Sequence, residues 1–142
     1  MAKTSGKGNG SRQIEQEMIA HFGFAPEFYM ALPEAALADE WGVHRDFELA
    51  ETAIPNKYKE LIGLAVAAHI KCRYCIHYHT EAAKAHGATE EELKEAVFMG
   101  GLTVQYSNSL TGMQVDLEHF KEEVDRAMEY MASHEQPSAP AH

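Results

Sequence analysis

Between residues 11 and 132, apolar positions recur at three- and four-residue spacing. No stretch alternates β-branched with polar residues as a half-buried strand would. The pattern predicts an all-α chain. Pro26, Pro33 and Pro55 stand where apolar helical patterns begin, a position that suits proline because its missing N–H would be unpaired there anyway. After Pro33 the spacing places Leu37, Trp41 and Phe47 near one face. After Pro55 the residues Tyr58, Leu61, Ile62, Leu64, Ala65, Val66, Ala68 and Ile70 are apolar nearly all round, which predicts a helix buried on most sides. Gly87 closes a helix, and Thr89 with Glu92 forms a capping box that opens the next. That next helix contains Gly100–Gly101, a pair read as close packing of another helix. Met113, Leu117, Phe120, Val124, Met128 and Met131 form a final stripe, read as core or as a subunit seam, with a solvated acidic face opposite.

Residues 1–10 are rich in Gly, Lys and Ser, and residues 133–142 are similarly polar. Both are expected to be disordered tails around one helical domain, 11–132, without an internal linker. The 142 residues carry 22 acidic and 12 basic side chains, a formal net charge of −10. That balance argues against nucleic acid, which requires a basic face, and against an anionic membrane surface. No apolar run approaches the roughly 20 residues of a spanning helix, and no signal-like stretch opens the chain. A cytoplasmic protein is expected.

The two cysteines, Cys72 and Cys75, change the picture. Two thiols do not make a disulfide scaffold, but a C-x-x-C pair is a functional unit. If Cys72 lies near a helix start, Cys72, Cys75 and His79 fall on one stripe, because residues three and four apart share a helix face. Lys71, Arg73 and the neighbouring His69 and His77 supply positive character, and residues 61–80 contain no Asp or Glu. Such surroundings favour the thiolate, the reactive form. One thiol can then attack a peroxide or a disulfide while the other resolves the product, with His79 as proton acceptor. A histidine in that role is best oriented by a carboxylate on its other nitrogen, which periodicity cannot select.

The pattern Glu60-x11-Cys72-x-x-Cys75-x-x-x-His79 resembles the signature of AhpD-like alkylhydroperoxidases within the wider carboxymuconolactone decarboxylase family. Supporting residues are Pro33-Glu34, Trp41, Lys59-Glu60-Leu61-Ile62, Cys72-Arg73-Tyr74-Cys75-Ile76 and Gly87-Ala88-Thr89. The resemblance implies an all-α AhpD-like fold and homo-oligomers, commonly trimers or hexamers. It further implies that Glu60 orients His79, that His79 deprotonates Cys75, and that Cys72 is the resolving thiol. Well-known peroxidase members carry a histidine just before the second cysteine, where this chain has Tyr74; tyrosine is a poor proton shuttle at neutral pH. Along a straight helix Glu60 would lie roughly 18 Å from Cys72. The relay therefore requires the chain to fold back, with one helix ending near Lys71 and another starting at Cys72.

The expected activity is a thiol-dependent oxidoreductase acting on hydroperoxides or disulfides. It has no organic cofactor and takes its electrons from an external dithiol reductant or a redox partner protein. A carboxymuconolactone decarboxylase-like enzyme is the alternative; those members work without the cysteine pair. A metal-binding or structural oligomer is the other, although only His77, His79 and Glu60 could complete a zinc site with the cysteines. The remaining histidines, His21, His44, His86 and His119, read as surface or helix-end residues.

Overall fold

A computed structural model describes residues 7–134. Their elements are α1 (Lys7–Phe22), α2 (Glu27–Met30), α3 (Glu34–Val43), a π turn (His44–Glu48), α4 (Asn56–His69), α5 (Arg73–Ala85), α6 (Glu90–Gly112) and α7 (Leu117–Ser133). No strand occurs among the described residues, so the all-α expectation is met. α1 opens at Lys7, inside the stretch expected to be a tail, and α7 runs to Ser133. The tail expectations for residues 1–6 and 135–142 lie outside the described residues. Contacts divide the chain into two units, Met1–Val97 and Phe98–His142.

In the first unit, Pro26, Pro33 and Pro55 each stand one residue ahead of the first helical residue rather than within the first turn. Their carbonyls accept the first helical bonds, as from Ala36 and Leu37 to Pro33 and from Tyr58 and Lys59 to Pro55. Met18, Tyr29, Leu37 and Trp41 form one core, flanked by Phe22, Leu32 and Leu49. Trp41 donates its indole N–H to Glu17 at 2.8 Å, so the ring is buried without stranding its donor. Phe47 does not join Leu37 and Trp41; it is exposed. Counting by 3.6 from Leu37 and Trp41 reaches His44, which is buried, while Phe47 falls roughly 80° off Leu37. Phe47 lies within the π turn, in which the amide of Leu49 bonds five residues back to the carbonyl of His44.

A second core joins Leu64 of α4, Ala83 of α5 and Leu93 of α6, with Leu61, Ile76 and Ala88 packed against it. α4 buries the stripe Asn56, Glu60, Leu64 and Ala67, while Tyr58, Ile62, Val66 and Ile70 are exposed. Within this chain the helix is therefore buried on one side, not most. Its apolar residues exceed what α5 and α6 can cover. The segment ahead of α4 is tied down by polar bonds: Lys59 Nζ donates to the carbonyls of Phe47 and Ala50, and Asn56 donates to that of Leu49.

The chain reverses between α4 and α5 without glycine. Lys71 adopts φ +59°, the amide of Cys72 bonds to the carbonyl of Ala67, and that of Lys71 to Ala68. This is a Schellman closure with lysine at the position glycine usually takes. The left-handed conformation costs a non-glycine residue roughly 1–2 kcal/mol. Lys71→Gly is accordingly expected to raise stability, by about 0.5–1 kcal/mol after the entropy of glycine is counted. A denaturant midpoint equal to or below wild type would contradict this. Gly87 closes α5 with the same pair of bonds at φ +82°. The predicted capping box is present: Glu92 N–H donates to Thr89 Oγ1, and Thr89 N–H to Glu92 Oε2.

In the second unit, Asp116 caps α7 by accepting from the amide of His119 at 2.8 Å. Met113, Leu117, Val124, Met128 and Met131 are exposed and Phe120 is partly so, which removes the core reading of this stripe within one chain. Nor does Gly101 meet a packed helix: a Cβ there would lie in open space. Among the described residues, no helix is long and apolar enough to cross a membrane.

Candidate functional site: a disulfide beside a carboxylate–imidazole pair

Cys72 is the N-cap of α5, and Cys75 lies in its first turn. The two are joined as a disulfide, with Cα atoms 5.3 Å apart, inside the range such a bridge allows. In this form neither sulfur is a free thiolate for a metal. The amide of Cys75 donates to Cys72 Sγ at 3.3 Å, so the sulfur takes the role a Ser or Asp oxygen usually plays at a helix start. No acidic residue occupies the first turn of α5. Any negative charge developing on these sulfurs meets the positive end of the helix dipole, with Lys71 and Arg73 alongside.

His79 lies one turn after Cys75 on the same helix, and Glu60 lies on α4. The reversal at Lys71 brings them together: His79 Nδ1–H donates to Glu60 Oε2 at 2.7 Å, across 19 residues of sequence. Glu60 is only 2% exposed and His79 is 21% exposed. A carboxyl buried this deeply is tolerated only with a partner. Its place in the Asn56–Glu60–Leu64–Ala67 stripe aims it into the α4–α5 seam, where an apolar residue would be ordinary. The four residues singled out from the sequence thus form two adjoining pairs. Tyr74, by contrast, is 89% exposed.

Three features of the site were not anticipated. Gly63 is the first. A Cβ on Gly63 would sit 2.5–2.7 Å from Cε1, Nδ1 and Nε2 of His79, so the imidazole lies against the bare backbone of α4. A glycine inside an otherwise apolar helix is the sequence signal for such an approach. Gly63→Val should overpack the site, costing about 1–3 kcal/mol, and push the ring off Glu60. Loss of the Nδ1–H proton resonance, with at least a tenfold fall in any His79-dependent rate, is the expected result. An unmoved resonance would show that the ring has room.

Second is the pair His44–Glu48 from the π turn. His44 was expected at the surface or at a helix end; it caps the end of α3 but is buried, with Nδ1 2.8 Å from Glu48 Oε2. The rings of Phe22, Tyr29, Trp41 and Tyr78 surround it, with centroids 5.4–6.2 Å away. Its spacing from Glu48, i to i+4, was visible in the sequence; its burial was not. The bond from His44 holds the Glu48 carboxyl below the usual range, against the opposing effect of burial. Third is Tyr78, whose ring centroid is 5.2 Å from that of His79. Burial, reinforced by the charges of Glu48 and Glu60, pushes its phenol well up, so it stays protonated. Tyr29, also half-enclosed, is pushed up to about 12 by burial.

Ligand-capable atoms of Glu48, Glu60 and His79 lie within 4.8 Å of one another. Glu60 and Glu48 each accept a bond from an imidazole on Oε2.

The model of the carboxymuconolactone decarboxylase family matches residues 27–116. Over 50 residues the chain is 38% identical to "Uncharacterized protein 4 in cox locus" of Paracoccus denitrificans, which covers 35% of this chain. The chain spans 45% of the length of that curated relative. The crystal structure of an alkylhydroperoxidase AhpD core from Rhodospirillum rubrum superposes with a TM-score of 0.68 at 29% identity, covering 79% of this chain and 86% of that one. The family match takes in both helices of the site and every residue of it named above except Phe22, so the chain belongs to the carboxymuconolactone decarboxylase family, with an AhpD-like fold.

Proposed function

We propose that this protein is a thiol-dependent oxidoreductase that reduces hydroperoxides or disulfides. One observation carries the reading: a C-x-x-C disulfide at the N-terminus of α5, one turn before an imidazole held by a buried glutamate. After reduction by an external dithiol, His79 takes the proton of Cys75 on Nε2, since Nδ1 is engaged by Glu60. The Cys75 thiolate attacks the terminal oxygen of the hydroperoxide; the S–O bond forms, the O–O bond breaks, and the alkoxide leaves with the proton from His79. Cys72 then attacks the sulfenic acid, the S–S bond forms and water departs. The balance is one hydroperoxide and one dithiol converted to alcohol, water and disulfide. With a disulfide substrate, the same thiolate forms a mixed disulfide that Cys72 resolves, releasing two thiols. No organic cofactor is required.

The protein acts as a homo-oligomer, a trimer or hexamer, in the cytoplasm. The exposed stripe Tyr58, Ile62, Val66 and Ile70 on α4 supports self-association, as does the methionine-rich stripe on α7. Contiguous apolar surface of this kind marks an interaction face. Peroxide consumption by purified protein with a small dithiol tests the function, with lactone decarboxylation measured in parallel. Turnover of peroxide or disulfide without decarboxylation supports the proposal; decarboxylation that survives alkylation of both cysteines would overturn it.

A further inference from the structure

We propose that Glu48 is a second positioning carboxylate of the relay, setting its negative charge against His79 so that the imidazolium formed on taking the Cys75 proton faces two carboxylates rather than one. This deepens the reading of His79 as the base and rests on it.

Glu60 reaches His79 from α4, and Glu48 approaches from the π turn, with an oxygen within 4.8 Å of the ligand atoms of both Glu60 and His79. On α5 itself Cys75 stands one turn before His79, and the ring of Tyr78, whose protonated phenol adds no charge, lies 5.2 Å from that of His79. On α4, Lys59 Nζ is committed to the carbonyls of Phe47 and Ala50 and to Asn56, and Lys57 Nζ to Glu92. With both carboxylates ionised and both imidazoles neutral, the cluster holds two negative charges in a half-buried pocket, an arrangement like charges disfavour. A proton arriving on His79 relieves it. The attraction is mutual: the charge of His79 is among the influences that keep Glu48 ionised.

Glu48 is also held in place. His44 binds its Oε2, and His44 is itself fixed among four aromatic rings, with Nε2 buried and unpartnered among the described residues. A surface carboxylate would not need such an anchor. The π turn that builds it is an irregularity of the kind found at functional sites.

The test follows the thiolate absorbance of Cys75 against pH in the reduced, full-length protein carrying Cys72→Ser, so that one thiol titrates. Glu48→Gln keeps the shape and an acceptor for His44 but removes the charge. It should move the profile to higher pH by about one unit, a tenfold change in the ionisation equilibrium. Glu48→Asp should restore a profile near that of the parent. In a His79→Ala background, Glu48→Gln should add no further shift. If Glu48→Gln does not fold, Glu48→Ala removes the same charge and serves instead. A profile shifted by His79→Ala but untouched by Glu48→Gln would overturn this inference alone. A profile untouched by His79→Ala would overturn the base role of His79, and this inference with it.

Discussion

Cys75→Ser is expected to abolish dithiol-dependent turnover of peroxide, whereas Cys72→Ser is expected to allow one reaction per chain and then stall. The asymmetry follows from the positions of the two sulfurs on α5. Cys75 shares the helix face of His79 one turn on, so its proton has an acceptor, while Cys72 occupies the N-cap one turn further away. Without Cys75 there is no thiolate beside the imidazole, and the rate should fall by a factor of a thousand or more, toward background. Without Cys72 the sulfenic acid on Cys75 forms but cannot close to a disulfide, so it persists and can be trapped by a dimedone-type reagent. Stopped-flow peroxide consumption with mass analysis of the trapped protein reads both outcomes. Multiple turnovers by Cys75→Ser, with the trapped sulfenic acid on Cys72, would reverse the assignment of the two thiols.

Removing His79 should be the most destabilising change at the site. The Glu60 side chain is 2% exposed, and its hydrogen bond comes from His79. His79→Ala leaves that carboxyl without its donor. Breaking one side of a buried pair costs about 3–5 kcal/mol, and the partial exposure of His79 argues for the lower end. The penalty belongs to the stranded carboxyl of Glu60. Adding Glu60→Leu to His79→Ala should therefore recover much of the lost stability, an antagonism a double-mutant cycle detects. Activity would not return with it. Additive losses in the two variants would mean that the two residues do not support each other.

Much of this protein was legible along the chain because much of it is local. The Thr89–Glu92 capping box, the glycine closure at residue 87 and the Cys72–Cys75–His79 stripe all lie within one or two helical turns. At that range the helical period alone decides which side chains meet. Glu60 was of another kind: its link to His79 spans 19 residues and two helices, and it entered only through resemblance to a known family. The break that permits that link carries no glycine or proline. Lys71 makes it in a conformation that its residue type disfavours, so propensity pointed the wrong way.

Where the pattern misled, the cause was a misjudged phase or a missing neighbour. Counting by 3.6 from Leu37 and Trp41 reaches His44 and Glu48, not Phe47, which is exposed. The apolar faces of α4 and α7 marked surfaces to be covered, but they could not say that this chain leaves them open. Composition suggested a site without carboxylates, since residues 61–80 contain none. The folded chain supplies two from outside that stretch, Glu60 and Glu48. Residue type and spacing therefore determined the helices, their caps and the thiol stripe, whose energetics are settled between near neighbours. Only the tertiary structure decided which acids reach the imidazole, because bringing charges from distant segments into one buried seam depends on a chain reversal that leaves no periodic trace.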